Sequence, residues 1–297
     1  MSSRVLVPGA VIDGRYTITK FLGAGGVAEV YKAQQRDLDI PVALKALKAE
    51  FSSRKQLLNQ ARRLRNEARA AARIQHPNVV RIRAVSHGME VKFEGDTQTL
   101  PRPYMVMDFI EGRSLRDELE QSGPLHPTRA LPLFLDCLDG LGEAHANGVV
   151  HKDLKPENIV LTRYGSREVM VILDFGTARA EILGPMTFDT SPPFTPNYIA
   201  PEYIQSNTVT PTLDVYQMGL ILIEALTGAE AVPFDDPIQC IKAHVVGQLQ
   251  IPGWLRESPL GPIVQSATAL NHTHRIVNAT IFRKVLSRID PASIKPP

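Results

Sequence analysis

Apolar and polar positions follow two different rhythms along this chain. From Tyr16 to Lys48 the runs "YTITKFL", "EVYKAQQ" and "PVALKAL" have strand length, and the first two are separated by the glycine-rich turn "GAGG". They predict consecutive antiparallel strands. The stretch from Arg54 to Ile74, rich in Ala, Leu, Arg and Glu, predicts a helix that ends before Pro77 of "HPN". Strands follow at Val79 to Val91 and at Pro103 to Phe109, joined by the polar connection "FEGDTQTLPR". Beyond "EGRS" apolar residues recur at three- and four-residue spacings in "LRDELEQ" and "RALPLFLDCLDGLGEAHANG", which predicts helices. Short strands at Asn158 to Leu161 and at Val169 to Leu173 interrupt them, and helices resume near Leu213. No repeat period is visible. The pattern predicts an α+β molecule: a small antiparallel sheet carrying one main helix, joined at Phe109 to Ser114 to a larger, mainly helical part.

Composition narrows the classes. With 43% hydrophobic and 22% charged residues among 297, there is ample material for a globular core. A formal charge of +2 gives no general pull toward nucleic acid or an anionic membrane, so neither is expected as a partner. Cys137 and Cys240 are too few and too far apart for a disulfide framework or a cysteine metal site, and they fit a reducing, cytoplasmic location. The opening "MSSRVLVPGAVIDGRY" has no long apolar run behind Arg4, so no secretory signal is expected. The most apolar helical stretch, "MGLILIEALTG", is too short for a bilayer and contains Glu224.

Several segments carry candidate chemistry. "GAGGVA" alone is compatible with a purely conformational turn or with phosphate contact. A strand, not a helix, continues beyond it, which argues against a dinucleotide-binding βαβ unit. Gly23 and Gly25 would let a hairpin tip offer backbone N–H groups to a phosphate chain. Lys45 in "VALK" reads either as a surface lysine or as a phosphate ligand held by Glu67 of the following helix. "VVHKDLKPENIV" places a carboxylate between two lysines, and "ILDFG" sets Asp174 after an apolar strand. A hairpin between "IVL" and that strand would bring Asn158 and Asp174 to one rim, where oxygen donors suit Mg²⁺.

These motifs, in this order, resemble those of the eukaryotic-type (Hanks-type) Ser/Thr protein kinases. The resemblance runs from about Tyr16 to Ile289 and rests on "GAGGVAEV", Lys45 of "VALK", Glu67 of "NEARAAARI", "HKDLKPEN", "DFG" and "APE". It implies a bilobal protein-kinase fold: an extension over 1–15, a small lobe over 16–109, a larger lobe over 110–290 and a tail over 291–297. It also implies ATP and Mg²⁺ as cofactors and Ser/Thr hydroxyls of proteins as acceptors. By the same resemblance Asp153 and Lys155 act on the transferred group, while Asn158 and Asp174 hold the metal. Gly23, Gly25, Gly26 and Lys45 with Glu67 meet the phosphates. Met107 guards the adenine pocket, the backbones of Asp108 and Ile110 bond the purine, and Val30, Ala43 and Val160 enclose it. Glu202 is expected to pair with Arg275, Asp214 to anchor the catalytic-loop backbone, and Thr195 to touch Asp153 and Lys155.

The pattern is broken in three places. Ala28 replaces a loop glycine, Lys152 stands where Arg is usual, and Phe194 replaces the glycine that commonly precedes Thr-Pro. Thr187, Thr190 and Ser191 are candidate autophosphorylation sites, with modification expected at Thr187 or Thr190. Two alternatives keep the fold without the activity: a pseudokinase scaffold and a small-molecule kinase. Retention of Lys45, Glu67, Asp153, Asn158 and Asp174 speaks for the enzyme, and "TPNYIAPE" for a peptide acceptor. The start of the chain is most like bacterial members of the family, for which pairing of two copies through the small lobe is a further expectation.

Overall fold

The computed structural model describes residues 6–48, 54–175 and 196–297. The chain divides into two compact units, one of residues up to Arg73 with Val80–Phe109, the other of Ile74–Val79 with Ile110–Pro297.

The first unit contains β1 (Val11–Ile12), β2 (Tyr16–Ala24), β3 (Ala28–Gln35), β4 (Ile40–Leu47), α1 (Arg54–Ala71), β5 (Ile82–Ser86), β6 (Met89–Phe93), β7 (Asp96–Leu100) and β8 (Tyr104–Asp108). Its eight strands form one sheet in the order β5-β8-β4-β3-β2-β1-β6-β7. Six strand spacings separate β5 from β6, roughly 29 Å if the sheet were flat. Yet only His87 and Gly88 join them, a link of at most about 11 Å. The sheet therefore curls back on itself. Ile12, Ile18, Tyr31, Leu44, Met89 and Val106 fill its interior. Alternation in β4 decides the faces: Val42 and Leu44 enter this core, while Ala43 and Lys45 point the other way. Helix α1 packs Leu64, Ala68 and Ala71 against β5 and β8.

Two expectations change here. The polar connection between Phe93 and Arg102 contains a strand, β7, paired with β6 from Met89↔Leu100 to Phe93↔Asp96, so the expected single strand over Val79 to Val91 is broken at the Ser86–Met89 turn. The expected extension over 1–15 is, from Leu6 onward, part of the first unit's core. Leu6, Ala10 and Ile12 are buried, and β1 joins β2 to β6. Asp13 ties this edge together: its N–H donates to Glu90 O, and its carboxylate accepts from Glu90 N–H and Tyr104 O–H.

The second unit contains β9 (Arg113–Ser114), α2 (Leu115–Ser122), α3 (Pro127–Ala146), β10 (Ile159–Tyr164), β11 (Arg167–Ile172), α4 (Pro201–Ser206), α5 (Pro211–Thr227), α6 (Pro237–Val246), α7 (Gly253–Glu257), α8 (Gly261–Ala267) and α9 (Ala279–Leu286). Helix α5 is apolar on nearly all sides and buried from Leu213 to Leu226, which makes it the helix around which the others pack. Residues 74–79 belong to this unit because Asn78 fastens them to β11. Its side chain donates to Met170 O and its carbonyl accepts from Ile172 N–H. The last residues also pack here, with Ile294 buried. Among the described residues no helix is long and apolar enough to cross a membrane.

Candidate functional site

In the first unit the glycine-rich turn is the tip of the β2–β3 hairpin, closed by Gly25 N–H donating to Ala28 O at 2.9 Å. Glycine at these positions is not demanded by the fold. None of Gly23, Gly25 and Gly26 has a positive φ. A Cβ at Gly23 or Gly26 would meet nothing within 4 Å, and at Gly25 only Ala28 O at 3.9 Å. The bare backbone is thus left open to something outside the chain.

Lys45 follows two strand residues after Ala43, and pairing sets it opposite Val30 on β3 and Met105 on β8. Its Nζ lies 2.9 Å from Glu67 Oε1 of α1, with both side chains largely buried. A partly desolvated ammonium so held is oriented, since breaking the pair would leave a charge in low dielectric. Ala43 and Met107 are a cross-strand pair, both buried. Asp108 ends β8 with its N–H committed to Arg81 O at 3.0 Å and its carboxylate paired with Arg83.

In the second unit Ile110 and Gly112 lead into β9. Gly112 is required by close approach, because a Cβ there would stand 2.1 Å from Leu161 O. Val160 is buried on β10 between Val171 and Ser114. Residues 151–158 form an irregular loop, and its geometry is set from below by α5. Asp214 Oδ2 accepts His151 N–H at 2.7 Å, and Oδ1 accepts Lys152 N–H at 2.8 Å. Gln217, one turn further, accepts Leu154 N–H at 3.0 Å and donates to the carbonyls of Lys152 and Tyr198. These bonds hold Lys152 in the left-handed region, φ +70°, a conformation that a non-glycine residue keeps only when its surroundings impose it.

Held this way, the loop gathers three side chains. Asn158 Nδ2 donates to Asp153 O at 2.8 Å and lies 3.5 Å from Asp153 Oδ2. Lys155 Nζ stands 3.9 Å from the same carboxylate oxygen. The β10–β11 hairpin then delivers Asp174: Ile159 pairs with Ile172, and Leu173 N–H donates to Asn158 O at 2.8 Å. Asp174 follows with φ +48°. His151 locks the two loops together. Leu173 O accepts from its Nε2 at 2.8 Å, and its Nδ1 accepts Asp153 N–H at 3.3 Å. Burial holds this imidazole below its ordinary pKa, so it is neutral, with the proton on Nε2.

The expected pairs are present: Lys45 with Glu67, Asp214 under the loop, and Arg275 Nη1 with Glu202 Oε1 at 2.7 Å, fully buried. Gly176, Thr187, Thr190, Ser191, Phe194 and Thr195 lie outside the described residues. Three supporting side chains escaped the sequence reading. Gln217 was legible as a polar residue on the Asp214 face of an apolar helix, three positions on. His145, 2.9 Å from Asp214, gave no such signal. Neither did Arg116, which donates to Glu157, Tyr198 and Glu230 and pairs with the buried Glu224, whose pKa burial pushes up.

Residues 16–271 match the family model of the protein kinase domain. The chain belongs to the protein kinase family. It is 33% identical over 276 residues to the serine/threonine-protein kinase PrkC of Bacillus subtilis, covering 91% of this chain and 40% of that protein. To the serine/threonine-protein kinase PknB of Mycolicibacterium smegmatis it is 32% identical over 284 residues, 94% of this chain and 43% of that one. PknB of Mycobacterium tuberculosis gives 32% over 283 residues, with the same coverage. This protein kinase domain therefore spans about two-fifths of the length of the curated relatives it matches.

Proposed function

We propose that this kinase domain transfers the γ-phosphoryl group of ATP to Ser/Thr hydroxyls of proteins. The observation that carries the reading is the Asp153 carboxylate with the Asn158 amide and the Lys155 ammonium around it, on a loop whose backbone Asp214 fixes. Asp153 accepts or orients the proton of the attacking hydroxyl, and Lys155 stabilises charge on the transferred group. Lys45, held by Glu67, grips the α- and β-phosphates, and the side-chain-free backbone at Gly23, Gly25 and Gly26 covers the phosphate chain. Met107, the backbones of Asp108 and Ile110, and the apolar Val30, Ala43 and Val160 receive the base.

The donor set fits a hard cation. Asn158 Nδ2 is turned to Asp153 O, which directs its oxygen the other way, and Asp174 adds a carboxylate at the same end of the hairpin. Among the described residues no cluster of three His, Cys, Asp or Glu side chains stands ready for a metal, so the remaining ligands would be phosphate oxygens and water, as Mg²⁺ prefers. Neutralising charge on the phosphate oxygens is the chemistry Mg²⁺ supplies when bound. Action in the cytoplasm, pairing of two copies through the first unit and the absence of nucleic-acid partners belong to the same reading.

The test is transfer of labelled γ-phosphate from Mg-ATP to a generic protein acceptor. Asp153→Ala should lower the rate by roughly 10²- to 10⁴-fold while nucleotide binding persists. Equal background signal from both proteins would make the chain a scaffold. Mass spectrometry of the same incubation should find phosphate at Thr187 or Thr190, and none between residues 177 and 195 would remove autophosphorylation from the reading.

A further inference from the structure

Helix α1 presents one consistently basic face. Its sequence, "RKQLLNQARRLRNEARAA", holds a single acid, Glu67, which is buried against Lys45. Lys55, Leu58, Arg62, Arg65 and Arg69 succeed one another at three- and four-residue steps, which sets them in one stripe about 21 Å long, and Arg73 follows just past the helix end. Lys55, Arg62, Arg69 and Arg73 are exposed, and Arg65 is half-buried. Among the described residues none of these five has an acidic partner.

The stripe does nothing for the helix that bears it. Arg65 and Arg69 are like charges one turn apart, a pair that costs a few tenths of a kcal/mol. A merely solvated face mixes signs, as the chain does elsewhere to reach a net charge of only +2. Leu58, 59% exposed, stands among the cations.

We propose that this face of α1 is a docking surface for an acidic helical segment of another protein. Charge complementarity sets the sign of the partner. The three- and four-residue recurrence is the seam that a second helix reads, with carboxylates at matching spacing meeting Lys55, Arg62 and Arg69. Leu58 decides the class of macromolecule, because an exposed aliphatic side chain gives a polypeptide an apolar anchor that a phosphodiester backbone does not use. The same helix holds Glu67, so an occupant would bear directly on the element that orients Lys45.

The inference goes beyond phosphoryl transfer and is tested without it. The probe is a fluorescein-labelled peptide of about 21 residues with Glu and Leu at heptad seam positions and Ala elsewhere, added to the full chain and followed by anisotropy. Binding should weaken steeply with salt, and Arg62→Glu with Arg69→Glu should weaken it on the order of tenfold or more. Leu58→Ala should weaken it several-fold, and hydrogen exchange should slow within α1. All three side chains are solvent-facing, so circular dichroism should show the variants folded. Absence of binding, indifference to the charge reversals, or equal affinity for a duplex DNA or phosphatidylserine vesicles that ignores Leu58→Ala would overturn the proposal.

Discussion

Asp214 shows how much one carboxylate can organise. It is fully buried, accepts two consecutive backbone N–H groups of the 151–158 loop, and stands 2.9 Å from His145 Nε2. Asp214→Asn keeps the volume but replaces one acceptor oxygen with a donor, leaving a buried amide unmatched. Urea unfolding should show a loss of about 3 kcal/mol, and phosphoryl transfer should fall with it as Lys152 and Asp153 drift. His244 sets a pH limit on the same unit. It is buried on α6, with Nδ1 2.8 Å from Tyr216 Oη, and its Nε2 faces the Pro196 and Asn197 backbone without a well-formed bond. Burial lowers its pKa from 6.5 to about 4. A depressed histidine contributes stability that is complete above the unfolded value and is lost as pH falls toward the folded one. Stability should therefore decline between pH 6.5 and about 4, by roughly 3 kcal/mol from this group, and His244→Phe should flatten that part of the profile. An unchanged slope in the variant would assign the decline to other groups.

At the scale of elements, periodicity was informative wherever one face is buried and silent where none is. Helix α3 followed from its three- and four-residue spacing, whereas α1, α5 and the β2–β3 and β10–β11 hairpins followed from composition, apolar run length and turn residues. Strand β7 did not, because "DTQTL" is exposed along nearly its whole length and alternates nothing. It is a strand only because β6 offers it a ladder. The first residues were likewise unreadable as structure, since β1 has two residues and gains meaning only between β2 and β6. Asp13 closes that assembly by joining β6 and Tyr104 of β8. Asp13→Ala should destabilise the first unit by about 2 kcal/mol, more than Tyr104→Phe, which removes only one of the bonds. Equal losses in chemical denaturation would show that the Glu90 contact adds nothing.

For the molecule as a whole, each unit has its own core: the curled sheet of the first, and the helices around α5 of the second. Such a chain need not unfold in one step. Calorimetry should resolve two transitions, with Asp13→Ala lowering one and Asp214→Asn the other. A single transition shifted alike by both variants would show that the units melt together. The basic face of α1 belongs to this scale too, since among the described residues its cations have no acidic partner and the proposed use for them lies in another molecule.

The sequence by itself determined the candidate chemical groups and their order along the chain. A lysine in an alternating strand, a carboxylate between lysines and an aspartate after an apolar run are local patterns, and local patterns survive without knowledge of the fold. Only the tertiary structure decided which groups are neighbours and what holds them. Asp153, Asn158 and Asp174 come to one end of a hairpin because Ile159 pairs with Ile172, and Lys152 keeps its strained backbone because a helix sixty residues later supplies the acceptors. Arg116, Gln217 and His145 act through partners distant in sequence, and distance along a chain carries no trace of proximity in space. That is why their roles waited for the fold.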